Sequence, residues 1–581
     1  MNSSYIQQAR LKNILIPLAL WAGPLVFLSL FYFYPLLNIL VTSFARSEAG
    51  WTAPLVEAFT SSRMWHVIGF TFWQAILSTL LTLLIGLPGA YLMARYVFPG
   101  KSLLQALAGV PFVMPTLVVA AAFNSLLGPR GWINQFLMES FNSPVPLIDI
   151  SNSLTAILIA HVFYNTTIVL RLVGDFWSHI DPRLEQAGRV LGASPLQASR
   201  KITLPLLMPA IAAAALLVFL FDFTSFGVIL VLGGPRYATM EVEIYYQTTA
   251  LFNLPLAATL CLLQLVCTLA MMVIYTHLST RLSRPISLKP RTYTQKRLSS
   301  WRSRILAGTF IAFLVAFLTL PLLSLAVRSF TRVEPRRNQD GSFQRGLTLD
   351  FYKELGINRR SSIFYTPPAT AIGISLAYAS LTVVIALALG LPASWALARE
   401  TPGTPASIAN RFFDPLLMLP LGTSAVTLGL GFIISLDHPP IDLRASPLLV
   451  PMAHSLVAFP FVVRSLAPAL RSIRPRLRQA ARVMGAGPLQ VIRHVELPLV
   501  GRAVLVAATF AFTISLGEFG ATALIARPEY PTVPIAIYRF LSLPGAMNYG
   551  QALALSTILM VVCAAGMLAI ERFRIADVGE F

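Results

Sequence analysis

The sequence predicts an all-α polytopic membrane protein of about twelve transmembrane helices, arranged as two homologous halves of six. Three observations carry that expectation. Of 581 residues, 56% are hydrophobic and only 12% charged, whereas soluble chains carry about 25% charged residues. Apolar runs such as ILIPLALWAGPLVFLSLFYFYPLLNILV (14–41) and ILAGTFIAFLVAFLTLPLLSLAV (305–327) exceed the ~20 residues that cross a bilayer. The second half also repeats the first in a fixed register.

The chain opens on a polar tail, MNSSYIQQARLKN (1–13), before a run too long for a signal h-region, so a retained first helix is expected. Hydropathy then places first-half spans at about 14–41, 67–94, 103–127, 153–173, 207–232 and 256–278. The second-half spans are at about 305–328, 369–398, 411–436, 447–467, 501–526 and 547–570. Pro and Gly inside them are tolerable because neighbouring helices can satisfy the freed backbone. The repeat supports the count. His161 and His454 stand 454 − 161 = 293 residues apart, and so do Arg171 and Arg464, Phe226 and Phe519, and Tyr245 and Tyr538. GLPGAYLMAR (86–95) matches GLPASWALAR (390–399) at an offset of 304, the difference falling in the loop between third and fourth spans.

Charge sets the orientation. The segment TRLSRPISLKPRTYTQKRLSSWRSR (280–304) is rich in Lys and Arg and contains no acid, so it is expected in the cytoplasm. The expected plan is a tail 1–13, a first membrane domain 14–278, a basic linker 279–304 and a second membrane domain 305–575. Both termini then lie in the cytoplasm. The net charge of +20 follows from this topology and is no sign of nucleic-acid binding; the partner of these surfaces is the lipid bilayer. Cys261, Cys267 and Cys563 all lie in apolar spans without metal-ligand spacing.

Two hydrophilic passages stand out: EQAGRVLGASPLQASRKITLPLL (185–207) and RQAARVMGAGPLQVIRHVELPLV (478–500). Each predicts a short helix, a turn at Gly192 or Gly485, and a second stretch entering the next span at Leu204-Pro205 or Leu497-Pro498. Ala187 and Ala480 leave room for a close partner. One such basic loop is ordinary; two copies held in register suggest a docking surface.

The pattern E-x-A-x4-G-A, followed after about ten residues by Leu-Pro, resembles the coupling motif of binding-protein-dependent ABC importer permeases. Copy one matches at Glu185, Ala187, Gly192, Ala193, Leu204 and Pro205, and copy two at Ala480, Gly485, Ala486, Leu497 and Pro498. Arg478 stands where the family has Glu, so the second loop is expected to rely more on shape than on charge. The resemblance implies the type I ABC importer permease fold, with coupling loops at about 178–205 and 471–498. It implies two ABC ATPase subunits on the cytoplasmic side and an external solute-binding protein, in a bacterial or archaeal plasma membrane. ATP is then used by the partner, with no cofactor bound by this chain. One chain carrying both halves resembles the fused permeases for ferric iron or thiamine.

Rival readings are weaker. GKS at 100–102 resembles the end of a phosphate-binding loop, but that motif needs Gly where Arg95 stands. The chain is therefore not expected to be an enzyme. An ion-driven twelve-helix carrier explains the spans but gives the doubled loop no role. His161 and His454 read as packing histidines, and no metal or nucleophile constellation is present. Asp222 and Glu518 lie inside fifth spans, where an ionisable group is costly. They are candidates either for an interhelical hydrogen bond or for the translocation path, and they are not repeat equivalents: Asp222 aligns with Ser515, and Glu518 with Ser225.

Overall fold

Among the described residues, ten helices are long and apolar enough to cross a bilayer. The computed structural model describes residues 20–45, 53–148, 150–282, 294–332, 336–337, 343–344, 346–357, 367–398, 405–438 and 441–573. The tail 1–13, the first residues of the first span, 283–293 of the linker and 574–575 lie outside them. The first half contributes Leu20–Phe44, Ser62–Arg95, Leu154–His179, Pro195–Phe223 and Leu254–Leu278. The second contributes Trp301–Ser329, Pro368–Ala398, Leu449–Arg471, Leu489–Gly517 and Ala546–Ile570.

The third span of each half, expected as one helix, is a bent pair. Lys101–Val113 meets Thr116–Phe141 at 109°, and Phe412–Gly422 meets Ala425–Ser435 at 96°. Local chemistry explains both bends. Met114 precedes Pro115 and is held extended, with ψ 136°, because the proline ring disfavours helical geometry in the residue before it. In the second half Thr423 is extended, and Ser424 caps the new helix by accepting from the Val426 and Thr427 N–H groups.

The fifth spans also differ from expectation. They begin earlier, within the repeated loops, and stop at Phe223 and Gly517 instead of continuing to 232 and 526. Short helices follow, Gly227–Leu232 and Gly520–Ile525. Segments expected as loops then hold two further helices, Met240–Thr249 and Val533–Leu541.

The halves are interleaved. Each first span packs against the bent third span of the other half. Tyr32 and Thr423 join hydroxyls at 2.7 Å, and Trp21 Nε1 donates to Asn410 Oδ1 at 3.3 Å. On the opposite side Ser125 donates to Ser324 at 3.1 Å and Arg328 Nη2 donates to the Arg130 carbonyl at 2.6 Å. Small residues let these helices approach closely: a Cβ on Gly431 would come within 2.9 Å of Pro35. The two largest buried clusters each draw on both halves. At one end of the bundle the linker's Lys296–Arg297 pairs in parallel with Tyr96–Val97.

Candidate functional site

Each repeated passage folds as a helix, a left-handed turn and a second helix. In copy one, Asp181 caps Pro182–Val190 by accepting from the Arg183 N–H at 2.9 Å. Gly192 closes the helix with φ +91°, and the Ala193 N–H reaches the Gly188 carbonyl at 3.1 Å. Ser194 and Gln197 form a capping box that starts Pro195–Ala198. In copy two, Pro475–Val483 turns at Gly485 with φ +87°, and the Ala486 N–H reaches the Ala481 carbonyl at 3.0 Å. The Gln490 side chain accepts from the Gly487 N–H at 2.8 Å.

The two Leu-Pro steps have a physical consequence. Leu204 N–H bonds to the Ser199 carbonyl, and Leu497 N–H to the Ile492 carbonyl, five residues back in each case. The widened π turns Ser199–Thr203 and Ile492–Glu496 accommodate Pro205 and Pro498, which have no N–H and would crowd an ordinary helical turn. The helix therefore continues unbroken. Pro195–Phe223 and Leu489–Gly517 are 29 residues each, or roughly 43 Å at 1.5 Å per residue.

Glu185 and Arg478, assigned to the coupling loops, are each bonded within their own half. The Thr203 hydroxyl donates to Glu185 Oε2 at 3.1 Å. Arg478 Nε donates to Glu496 Oε1 at 2.7 Å, and its Nη2 to the Leu470 carbonyl at 3.1 Å. Glu496 occupies the register position of Thr203. The two loops thus carry the same brace with its carboxylate on opposite arms, and the arginine offsets the exchange. Outward, the loops present apolar side chains: Val190 and Leu191 are each 87% exposed, Val483 87% and Met484 81%. Leu184 and Leu477, and Leu196 and Leu489, extend this surface in matching positions. Ala187 and Ala480 are also exposed.

The two buried acids mark the far ends of the same helices. Asn165 Nδ2 donates to Asp222 Oδ1 at 2.7 Å, and His161 Nδ1 lies 3.4 Å from that oxygen. His161 Nε2 is 2.8 Å from Ser225 Oγ. In the second half, His454 Nε2 lies 3.2 Å from Glu518 Oε2, and its Nδ1 lies 2.8 Å from Ser515 Oγ. Glu518 also caps Gly520–Ile525, accepting from the N–H groups of Ala521 (2.9 Å) and Thr522 (3.1 Å) and from the Thr522 hydroxyl (2.6 Å). Each histidine therefore lies between one acid and one serine, which exchange positions between halves; His161 bonds its serine, and its Nδ1 makes no hydrogen bond to the acid. His454 is a close partner of its carboxylate, whereas His161 sits beside Asp222 and bonds Ser225. Sequence held a partial signal for this: the 293-residue register places an acid opposite a serine at both 222/515 and 225/518.

The family described as binding-protein-dependent transport system inner membrane component matches residues 86–284 and 369–576. The chain belongs to this family. This permease is 28% identical over 543 residues to the thiamine transport system permease protein ThiP of Escherichia coli (strain K12), covering 90% of this chain and 92% of that one. It is 30% identical over 530 residues to ThiP of Brucella abortus (strain 2308), covering 90% of each. A chain from the crystal structure of a bacterial ABC transporter involved in the import of the acidic polysaccharide alginate aligns with 48% of this chain and 100% of its own, at 19% identity and a TM-score of 0.38.

In this permease the breaks after Phe223 and Gly517 bring further residues together. Phe226 and Phe519 stack across the two halves with centroids 5.4 Å apart and planes at 19°. Each also meets a tyrosine of its own half, Phe226 with Tyr245 of Met240–Thr249 at 5.3 Å and Phe519 with Tyr538 of Val533–Leu541 at 5.4 Å. The 293-residue register pairs these positions, but their meeting depends on helices that hydropathy does not reveal. Nor does hydropathy reveal the buried Glu243 of Met240–Thr249, which binds Arg63 at 3.0 Å and Gln247 at 2.7 Å.

Proposed function

We propose that this chain forms the membrane path of a thiamine importer, with both halves supplied by one polypeptide. The single observation supporting thiamine over ferric iron is that the relatives aligning along nine-tenths of the chain are named for thiamine. Two ATPase subunits dock on the loops at 178–205 and 471–498, in the cytoplasm with both termini. Their grip is apolar and shape-based, made by the exposed surfaces around Leu191 and Met484, while Glu185 and Arg478 hold the loops in form. ATP is bound and hydrolysed by those subunits. Closure of the ATPase pair moves each loop, and the continuous helix behind it carries that motion across the membrane to Asp222 and Glu518. A solute-binding protein delivers cargo on the opposite side. Asp222 and Glu518 act on the path by fixing the ends of these helices.

The test is reconstitution of the permease with its ATPase and binding protein in proteoliposomes. Uptake of labelled thiamine that requires both ATP and the binding protein is expected. Uptake of ferric iron but not thiamine under the same conditions overturns the cargo assignment. Uptake driven by an ion gradient without ATP overturns the whole reading.

A further inference from the structure

We propose that Phe226, Tyr245, Phe519 and Tyr538 form a cargo-contact site on the path, built to receive a planar heteroaromatic cation as the two halves separate. The proposal rests on the thiamine reading and adds the residues that meet the cargo. Four observations support it. The rings occupy equivalent positions in the two halves and meet one another at the contact between them. Phe226 and Phe519 are only 6% and 3% exposed, so the face each would offer is covered by the other half in this conformation. Tyr245 and Tyr538 remain partly exposed beside them. Each phenylalanine follows a break at the end of a helix that begins in a repeated loop, roughly 43 Å away at helical rise. A movement of the loops thus reaches these rings directly.

The ligand class follows from ring electrostatics. An aromatic face carries partial negative charge and attracts cations, most strongly where water is excluded. A thiazolium is planar and cationic, so it can stack on a phenyl face and be attracted by it. The carboxylates nearest in sequence each already accept from a protein partner: Asp222 from Asn165, Glu518 from Thr522, Glu243 from Arg63 and Gln247, and Glu241 from Gln264. A site of rings attracts the cation without fixing it to a charge, which suits a path that must release its cargo. Gly227 packs closely here: a Cβ on it would collide with the Thr116 hydroxyl and come within 3.2 Å of the Phe519 ring.

The experiment uses the reconstituted full complex supplied with thiamine-loaded binding protein. Phe226→Leu combined with Phe519→Leu removes both rings, while Phe226→Trp combined with Phe519→Trp keeps aromatic faces. Retention of the ATPase on the extracted permease shows that each variant is assembled. We expect the leucine pair to lower the maximal uptake rate at least tenfold, with the half-saturating concentration of binding protein changed less than twofold. The tryptophan pair should keep at least a third of the wild-type rate. Leucine variants within twofold of wild type overturn the proposal, and so does an assembled tryptophan pair as slow as the leucine pair. Wild-type permease that imports another cargo but not thiamine is a different failure, which removes the thiamine reading and this inference with it.

Discussion

Arg478→Glu should loosen the second repeated loop, and adding Glu496→Thr should restore it. The double change rebuilds in copy two the pair that copy one has at Glu185 and Thr203. In the wild type, Arg478 donates to Glu496 at 2.7 Å and to the Leu470 carbonyl at 3.1 Å. The two side chains are 18% and 1% exposed. Hydrogen bonds to charged groups contribute about 1.5–3 kcal/mol each, and breaking a buried ion pair from one side costs about 3–5 kcal/mol. Partial exposure of Arg478 puts the cost near the lower end, about 3 kcal/mol. The single substitution also sets two carboxylates against each other. A loss of about 3 kcal/mol is roughly a hundredfold rise in the open population of the loop. The Glu–Thr pair should recover all but about 1 kcal/mol of it. Amide hydrogen exchange of residues 475–500 in the solubilised permease measures this opening without the ATPase. If the single variant exchanges like wild type, or the double variant like the single, Arg478 does not brace the loop and its side chain is free to serve a partner.

Three further outcomes are expected. Gly192→Leu and Gly485→Leu place a side chain at φ +91° and +87°, where the left-handed conformation costs roughly 1–2 kcal/mol. Nothing lies within 4 Å of either built Cβ, so the penalty is in the backbone, and Asn should be tolerated better than Leu. Substrate-stimulated ATP hydrolysis that stays normal in both leucine variants would falsify a need for the turn. Leu191→Asp and Met484→Asp alter exposed positions, so thermal stability should hold while ATPase retention on the tagged permease falls; retention equal to wild type removes the apolar docking surface. Glu518→Ala removes the acceptor for three hydrogen bonds from Ala521 and Thr522 and should destabilise the permease by about 2–4 kcal/mol. Glu518→Gln keeps an acceptor oxygen and should lose less, as read from thermal unfolding in detergent; equal losses for both would mean the carboxylate is not holding the cap.

What the sequence determined by itself was whatever depends on neighbours along the chain. Apolar runs set the spans, and a repeat held at 304 residues before the third-to-fourth loop and 293 after it set the twofold plan. The left-handed turns at Gly192 and Gly485 and the Leu-Pro entries were legible because a glycine or proline acts on its own turn. Tertiary structure decided which faces meet. In lipid, a helix face that touches another helix is about as apolar as one that touches lipid, so hydropathy does not choose its partner. That is why the bond between Tyr32 and Thr423, 391 residues apart, and the stack of Phe226 on Phe519 had no signature of their own. The bend at Thr423-Ser424 was similarly hidden, because no proline or glycine stands at the step and only the fold places Thr423 in extended geometry. The same limit holds for charge. Arg478 looked like the loss of a docking carboxylate because sequence shows one position at a time. Only the folded loop brings Glu496 to it across 18 residues, where the buried acid and the arginine stabilise each other.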